Sequence, residues 1–271
     1  MPVSRHTGTA MVDPDEIATR FHEQGFVVLP ALASREQVAE LNRAVDEHLA
    51  PPLAPLEYEA ELGYPGAPMS LDAEGGGTPR RLLNAYSRDP VFRRWARSDE
   101  LLVPVRTLLG GGDIALVQAH HNCIMTKYPD HGSETGWHQD TRYWSYPRGD
   151  LINAWLALGD EGPENGGMRV IPASHRREFG RERFDEDVFF LPDHPDNGPV
   201  LADEVAVTLR PGDVLLFHAR LLHAAGRNRA AAVKRSLVFT YRRADEAPLP
   251  DSRSSRTRDV PLPAVHGASA L

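Results

Sequence analysis

From residue 113 onward the chain reads as short apolar segments cut by turns, and this run of strands most restricts the fold. Ile114 to Tyr128 is rich in β-branched and aromatic residues, and Leu151 to Leu158 is mostly apolar. Met168 to Ile171, Val205 to Leu209, Val214 to His218 and Ser236 to Tyr241 follow. Turns separate them: Glu164-Asn165-Gly166-Gly167, whose Asn-Gly pair is the best short hairpin signal, and Pro211-Gly212-Asp213. Helical signals come earlier. Asp13-Pro14-Asp15-Glu16 supplies an N-cap, a proline at the first helical position and acids in the first turn, and Gly25 ends that helix. Phe26 to Leu29 is a short apolar strand. Ser34-Arg35-Glu36-Gln37 is a capping box, and Val38, Leu41, Val45 and Leu49 then repeat at helical spacing over 34–49. Residues 51–80 are rich in Pro and Gly without a clear period, and 89–109 read as helical, closed by three glycines. Helices first and many short strands later predict a mainly β sandwich or barrel with helices outside.

Composition sets outer bounds. At 271 residues, 41% hydrophobic and 25% charged, the chain is globular and long for one domain, but a decorated β-barrel reaches this size. A net charge of −8 argues against a nucleic-acid partner. The single Cys123 excludes an internal disulfide and fits a reducing cytoplasm. The opening Met-Pro-Val-Ser-Arg-His lacks a signal peptide's apolar core, and no apolar run is long enough to span a membrane. The expectation is one cytoplasmic domain over 13–243, monomer or homodimer, with no membrane partner and with flexible termini at 1–12 and 244–271.

The chemistry centres on Gly136-Trp137-His138-Gln139-Asp140. A His and an Asp two apart on a strand point to one face. With a distant His they make the two-His-one-carboxylate set that binds non-haem Fe(II) and leaves positions open. With 12 His and 20 Asp in 271 residues, about one His-x-Asp match is expected by chance. There are two, and the second, His194-Pro195-Asp196, lies in a Pro-rich stretch that reads as a solvated loop. His223 is the nominated third ligand. His175 competes with it, but it follows a Pro-Ala-Ser turn where a His often satisfies local backbone. His218 ends an apolar strand and reads as packed or hydrogen-bonded. Parity along Ala119 to Lys127 puts His121, Cys123, Met125 and Lys127 on one face, and the adjacent His120 and His121 on opposite sides.

In order and spacing these pieces resemble the phytanoyl-CoA dioxygenase family of Fe(II)/2-oxoglutarate oxygenases, over roughly residues 15 to 242. The segments that carry the resemblance are Phe21 to Pro30, Trp137 to Asp140, Glu164 to Gly167 with Ile171 to His175, Pro211 to Phe217, and above all His223-Ala224-Ala225-Gly226-Arg227-Asn228. The resemblance implies a double-stranded β-helix, or jelly roll, with Fe(II) on His138, Asp140 and His223. It implies 2-oxoglutarate and O2 as cosubstrates, release of succinate and CO2, and oxidation of a small molecule. It makes His121 and Met125 pocket candidates, puts Thr141 and Trp144 where relatives touch cosubstrate or substrate, and makes Trp155 a wall of the cosubstrate site. Filled-core readings of His121, Met125, Trp144 and Trp155 stand beside these. Related halogenases carry a small residue at the Asp position, so Asp140 favours hydroxylation. The far carboxylate of 2-oxoglutarate needs a cation shortly after the distal His: the family spacing lands on Lys234, whereas bidentate chemistry prefers Arg235. Only one of these neighbours can point inward.

Two rival classes share this pattern: a cupin-type hydrolase or isomerase that uses no keto acid, and an inactive binding module. The intact triad and a basic residue suited to a keto-acid carboxylate disfavour both. Substrate choice falls to 51–80, 128–136, 180–200 and the tail, which carry no readable code; the composition leans toward a bacterial tailoring enzyme of secondary metabolism.

Overall fold

A computed structural model describes residues 13–264. Helix α1 (Pro14–Gln24) starts with Asp13 accepting from the Asp15 amide at 3.0 Å and stops at Gly25, φ +83°. Strand β1 (Phe26–Leu29) leads to α2 (Arg35–Leu49), where Ser34 and Gln37 close the expected capping box. The segment 51–80 is less irregular than its composition implies. It holds β2 (Leu56–Tyr58) and the start of β3 (Pro79–Leu83), which pair with each other. Residues 89–109 form two helices after the short α3 (Ala85–Arg88): α4 (Pro90–Ala96) and α5 (Asp99–Leu108), broken at Arg97-Ser98.

The remaining strands are β4 (Ile114–Lys127), β5 (Thr135–His138), β6 (Leu151–Ala157), β7 (Met168–Val170), β8 (Val205–Ala206), β9 (Val214–His218), β10 (His223–Ala225), β11 (Lys234–Arg243) and β12 (Val260–Leu262). They make two antiparallel sheets. The large one runs β1-β9-β6-β11-β4-β3-β2, with β12 also on β4, and the small one runs β5-β10-β7-β8. The architecture is the double-stranded β-helix. Alternation along β11 shows how the large sheet divides its faces. Leu237, Phe239 and Tyr241 join the core formed with Phe21, Leu41, Val45, Phe92 and Val105 of the helices. Val238 packs instead with Trp155, Leu215 and Phe217 against Met168 and Val170 of the small sheet.

Two expectations need correction. The Asn165-Gly166 turn does not make a hairpin of β6 and β7. Strand β6 already has β9 and β11 on its two sides, so the turn carries the chain across to the small sheet. The tail from 244, expected to be flexible, packs as far as Ala264. β12 pairs with Ile114–Leu116, covering an edge of β4 that β3 does not reach. Arg242 is tied to Asp259 at 2.7 Å, and Leu262 is buried. Residues 1–12 and 265–271 lie outside the described residues.

Gly166 is the sharpest requirement at the sheet crossing. Its φ is +74°, and a Cβ there would stand 2.5 Å from the Gly226 carbonyl oxygen, just beyond β10. Gly166→Ala should therefore destabilise the protein by more than about 2 kcal/mol, left-handed strain adding to backbone overlap. Urea denaturation checks this; an unchanged midpoint would contradict it.

Candidate metal and cosubstrate site

β5 ends on His138 and β10 begins on His223, and the two residues are direct partners across the strand pair. Asp140 opens the 3-10 turn Asp140–Arg142 that follows β5. All three residues are buried, and one ligand atom from each lies within 4.8 Å of the others. Asp140 Oδ1 is 3.5 Å from His138 Nε2 and 3.6 Å from His223 Nε2. The same residue spacing orients both rings. His138 Nδ1 lies 2.8 Å from the Gly136 carbonyl and His223 Nδ1 2.9 Å from the Leu221 carbonyl. An Nδ1–H that donates to a carbonyl leaves the Nε2 lone pair facing Asp140, as metal ligation requires. Asp140 Oδ2 accepts from Asn153 Nδ2 at 2.8 Å, while Oδ1 is buried and has no hydrogen-bond partner. A buried carboxylate oxygen without a donor is costly. One cation between Oδ1 and the two Nε2 atoms would satisfy all three, so the donor set fits a divalent metal with N and O ligands.

The electrostatics of the buried groups agree with a site poised for metal. Burial, then the neighbouring His138, pushes His223 down to about 4, so it is neutral at pH 7. Burial alone would raise the Asp140 carboxyl, but His121, His223 and His138 outweigh it and hold the group well below the usual carboxylate range.

His121 lines the same cavity, with Nδ1 3.3 Å from Asn153 Oδ1 and 3.5 Å from Asp140 Oδ2. Parity failed for its neighbour. The pairing of β4 with β11 jumps from Asn122 to Val117, and this bulge breaks alternation. His120 and His121 therefore both lie against Trp144, at 5.7 and 5.2 Å between ring centroids. Trp144 packs with Val117, Tyr146 and Leu151 and meets the cavity-lining His121 edge-on, at 5.2 Å between centroids. Thr141 follows Asp140 in the 3-10 turn, and a Cβ on Gly149 would stand 3.5 Å from its methyl. Met125 and Trp155 line the cavity. Lys234 is buried beyond Trp155, its Nζ 4.9 Å from that ring's centroid. Nζ donates to Glu161 Oε2 at 3.1 Å and Ser236 Oγ at 3.2 Å. Arg235 faces the helix side and pairs with Asp46 of α2 at 2.7 Å, away from the cavity, which removes it as a candidate anchor. His175 is held at α1, with Nε2 3.2 Å from the His22 carbonyl, and His218 Nε2 is 3.6 Å from Asp150.

Sequence reading missed Tyr64, Arg80, Arg81 and Tyr143, which also line the cavity. Arg80 Nη1 is 3.1 Å from the buried Glu59, and Arg81 Nε is 2.8 Å from Glu57. The spacing of Glu57 and Glu59 against Arg80-Arg81 was the available signal, hidden because 51–80 carried no strand period.

The family model for phytanoyl-CoA dioxygenase matches residues 21–236. The chain belongs to the phytanoyl-CoA dioxygenase family. The class is that of 2-oxoglutarate-dependent non-haem iron dioxygenases, with Fe(II), 2-oxoglutarate and O2. Among relatives of this dioxygenase, the ectoine dioxygenase of Sphingopyxis alaskensis is 27% identical over 227 residues, 78% of this chain and 70% of its own. Among solved structures, the epimerase SnoN in complex with Fe3+, α-ketoglutarate and nogalamycin RO superposes with a TM-score of 0.70. It is 21% identical and covers 94% of this chain and 96% of its own. EctD from S. alaskensis with 2-oxoglutarate and 5-hydroxyectoine gives 0.69 at 23% identity, covering 91% and 81%. No described helix is long and apolar enough to cross a membrane.

Burial lowers His120 to about 3 and His175 to about 4, as it lowers His223. Unfolded, each titrates near 6.5. Between these limits the unfolded chain binds more protons, so stability rises with pH. The metal-free protein should unfold at lower urea at pH 5 than at pH 7; an equal or higher midpoint at pH 5 would contradict the burial of neutral imidazoles.

Proposed function

We propose that His138 Nε2, Asp140 Oδ1 and His223 Nε2 hold one Fe(II), and that the protein hydroxylates a small-molecule substrate with release of succinate and CO2. The observation that carries this is Asp140 Oδ1, buried, without a hydrogen bond and set between two Nε2 atoms. When bound, iron with 2-oxoglutarate and O2 supplies an oxidant that can take a hydrogen atom from an unactivated carbon and return a hydroxyl. The protein's part is positioning. The Gly136 and Leu221 carbonyls fix the imidazole tautomers. Asn153, donating to Oδ2, keeps Oδ1 turned toward the two Nε2 atoms, where it could join them on a metal. Asp140 would fill the coordination position that a halide would need.

Lys234 is the proposed anchor for the far carboxylate of 2-oxoglutarate, reached across Trp155. Its ammonium is already shared with Glu161, which also accepts from Trp155 Nε1 and Ser236 Oγ. An incoming carboxylate therefore meets a cation and an anion together.

Succinate formation from 2-oxoglutarate tests the whole reading, and His223→Ala should abolish it together with metal binding while the fold survives. Two substitutions separate the anchor's parts. Lys234→Ala should raise the KM for 2-oxoglutarate roughly ten- to a hundredfold, the value of a buried charge-assisted contact. Glu161→Gln keeps an acceptor for Trp155 but removes the competing charge, and should lower that KM. An unchanged KM in Lys234→Ala would refute the anchor.

A further inference from the structure

Over His138 stands a group of aromatic rings with one guanidinium among them. Tyr143 and Phe189 pack edge-on to His138, with centroids 6.0 and 5.8 Å away. Tyr64 packs edge-on to Phe189 at 5.5 Å, and its hydroxyl lies 3.2 Å from that of Tyr143. The Arg142 guanidinium carbon lies 3.8 Å from the Phe189 centroid and 4.9 Å from that of Tyr143. The rings offer this cation their faces. They do not offer it an acceptor: Arg142 Nη1 is buried and without a hydrogen-bond partner, and no described carboxylate lies within ion-pair distance of the guanidinium.

Its neighbours differ in having a paired carboxylate. Arg80 and Arg81, which line the cavity below this group, each have a glutamate, and Tyr64, Tyr143 and His138 join that cavity to the rings around Arg142. Asp140, two residues before Arg142, turns Oδ2 to Asn153 and Oδ1 toward the two imidazoles, and makes no ion pair with the guanidinium. Arg142 is thus a fixed positive charge, one ring away from a proposed metal ligand, with a donor left over. A buried guanidinium N–H with no acceptor is unfavourable unless something arrives to accept from it.

We propose that Arg142 recognises an oxyanion, a carboxylate or a phosphate monoester, on the substrate, and that Tyr64, Tyr143 and Phe189 flank the substrate's apolar part. The substrate class is then a small anionic molecule with an apolar or ring-bearing body, its anion held on the His138 side of the centre. This rests on the dioxygenase reading, since it is that reading that makes His138 part of the reacting centre.

The test uses benzoate, phenyl phosphate and the neutral benzamide as probes on the full chain loaded with Mn(II) and 2-oxoglutarate, with binding followed by calorimetry. The unsubstituted protein should bind benzoate or phenyl phosphate more tightly than benzamide, and the better of the two identifies the anion. Arg142→Gln should erase that preference, a loss of roughly ten- to a hundredfold. Arg142→Lys should restore part of it, which a merely structural role would not predict. 2-Oxoglutarate titrated into the Mn(II) protein is measured alongside. If it binds and the probes show no anion preference, or Arg142→Gln keeps the preference, the inference is wrong and the dioxygenase reading stands. If 2-oxoglutarate does not bind at all, the dioxygenase reading itself fails and takes the inference with it.

Discussion

The pairing of His138 with His223 across β5 and β10 is the contact on which the site depends, and packing behind it holds the register. Trp137 and Ala224, the next residues on those strands, are buried on the opposite face with Ile171, Phe190 and Leu222. A slip of one residue in either strand would exchange the faces. It would drive an imidazole into that apolar cluster and strip Trp137 or Ala224 from it, and a large apolar side chain is worth about 1.5–3 kcal/mol when buried. The Pro-rich excursion over 180–200 thus has a structural role: Phe190 and Val200 cover the outer face of the small sheet, and that cover turns both histidines inward.

The large sheet supplies the polar half of the arrangement. Asn153 on β6 faces Thr240 on β11, and its side-chain oxygen accepts from the Thr240 hydroxyl while its amide reaches Asp140. A hydrogen bond from the large sheet therefore joins the Asp140 carboxylate to the core strand pair. Glu161 does similar work at the other end of the cavity, gathering Trp155, Lys234 and Ser236 around one carboxylate. Buried polar networks of this kind persist because each member is satisfied. Asp140 Oδ1 and Arg142 Nη1 are exceptions beside His138, and a cation and an anion are their respective complements.

What could be read before the structure was whatever depends on local spacing. The capping box at Ser34, the αL stop at Gly25 and the alternation that separates Lys234 from Arg235 are set by neighbours within a few residues. His138 and Asp140 were legible because two residues along the chain is also their separation in the site. Long-range pairing was not legible. β12 reads as a Pro- and Arg-rich tail until the open edge of β4 is there to receive it. The bulge between Val117 and Asn122 arises from pairing with β11, so parity misplaced His120. Trp144 and Thr141 follow the motif in sequence, and the 3-10 turn that begins at Asp140 sets where they pack. Arg142 carries no sequence signal, since its place among Tyr143 and Phe189 is made by a segment more than forty residues away.

The most direct measurement is a crystal structure of the protein grown anaerobically with Fe(II). A single ion about 2.0–2.2 Å from His138 Nε2, Asp140 Oδ1 and His223 Nε2, with the Asn153–Oδ2 hydrogen bond kept, is the predicted result. An ion that binds His121 or His175 in place of His223, or that leaves Asp140 Oδ1 uncoordinated, would contradict the account.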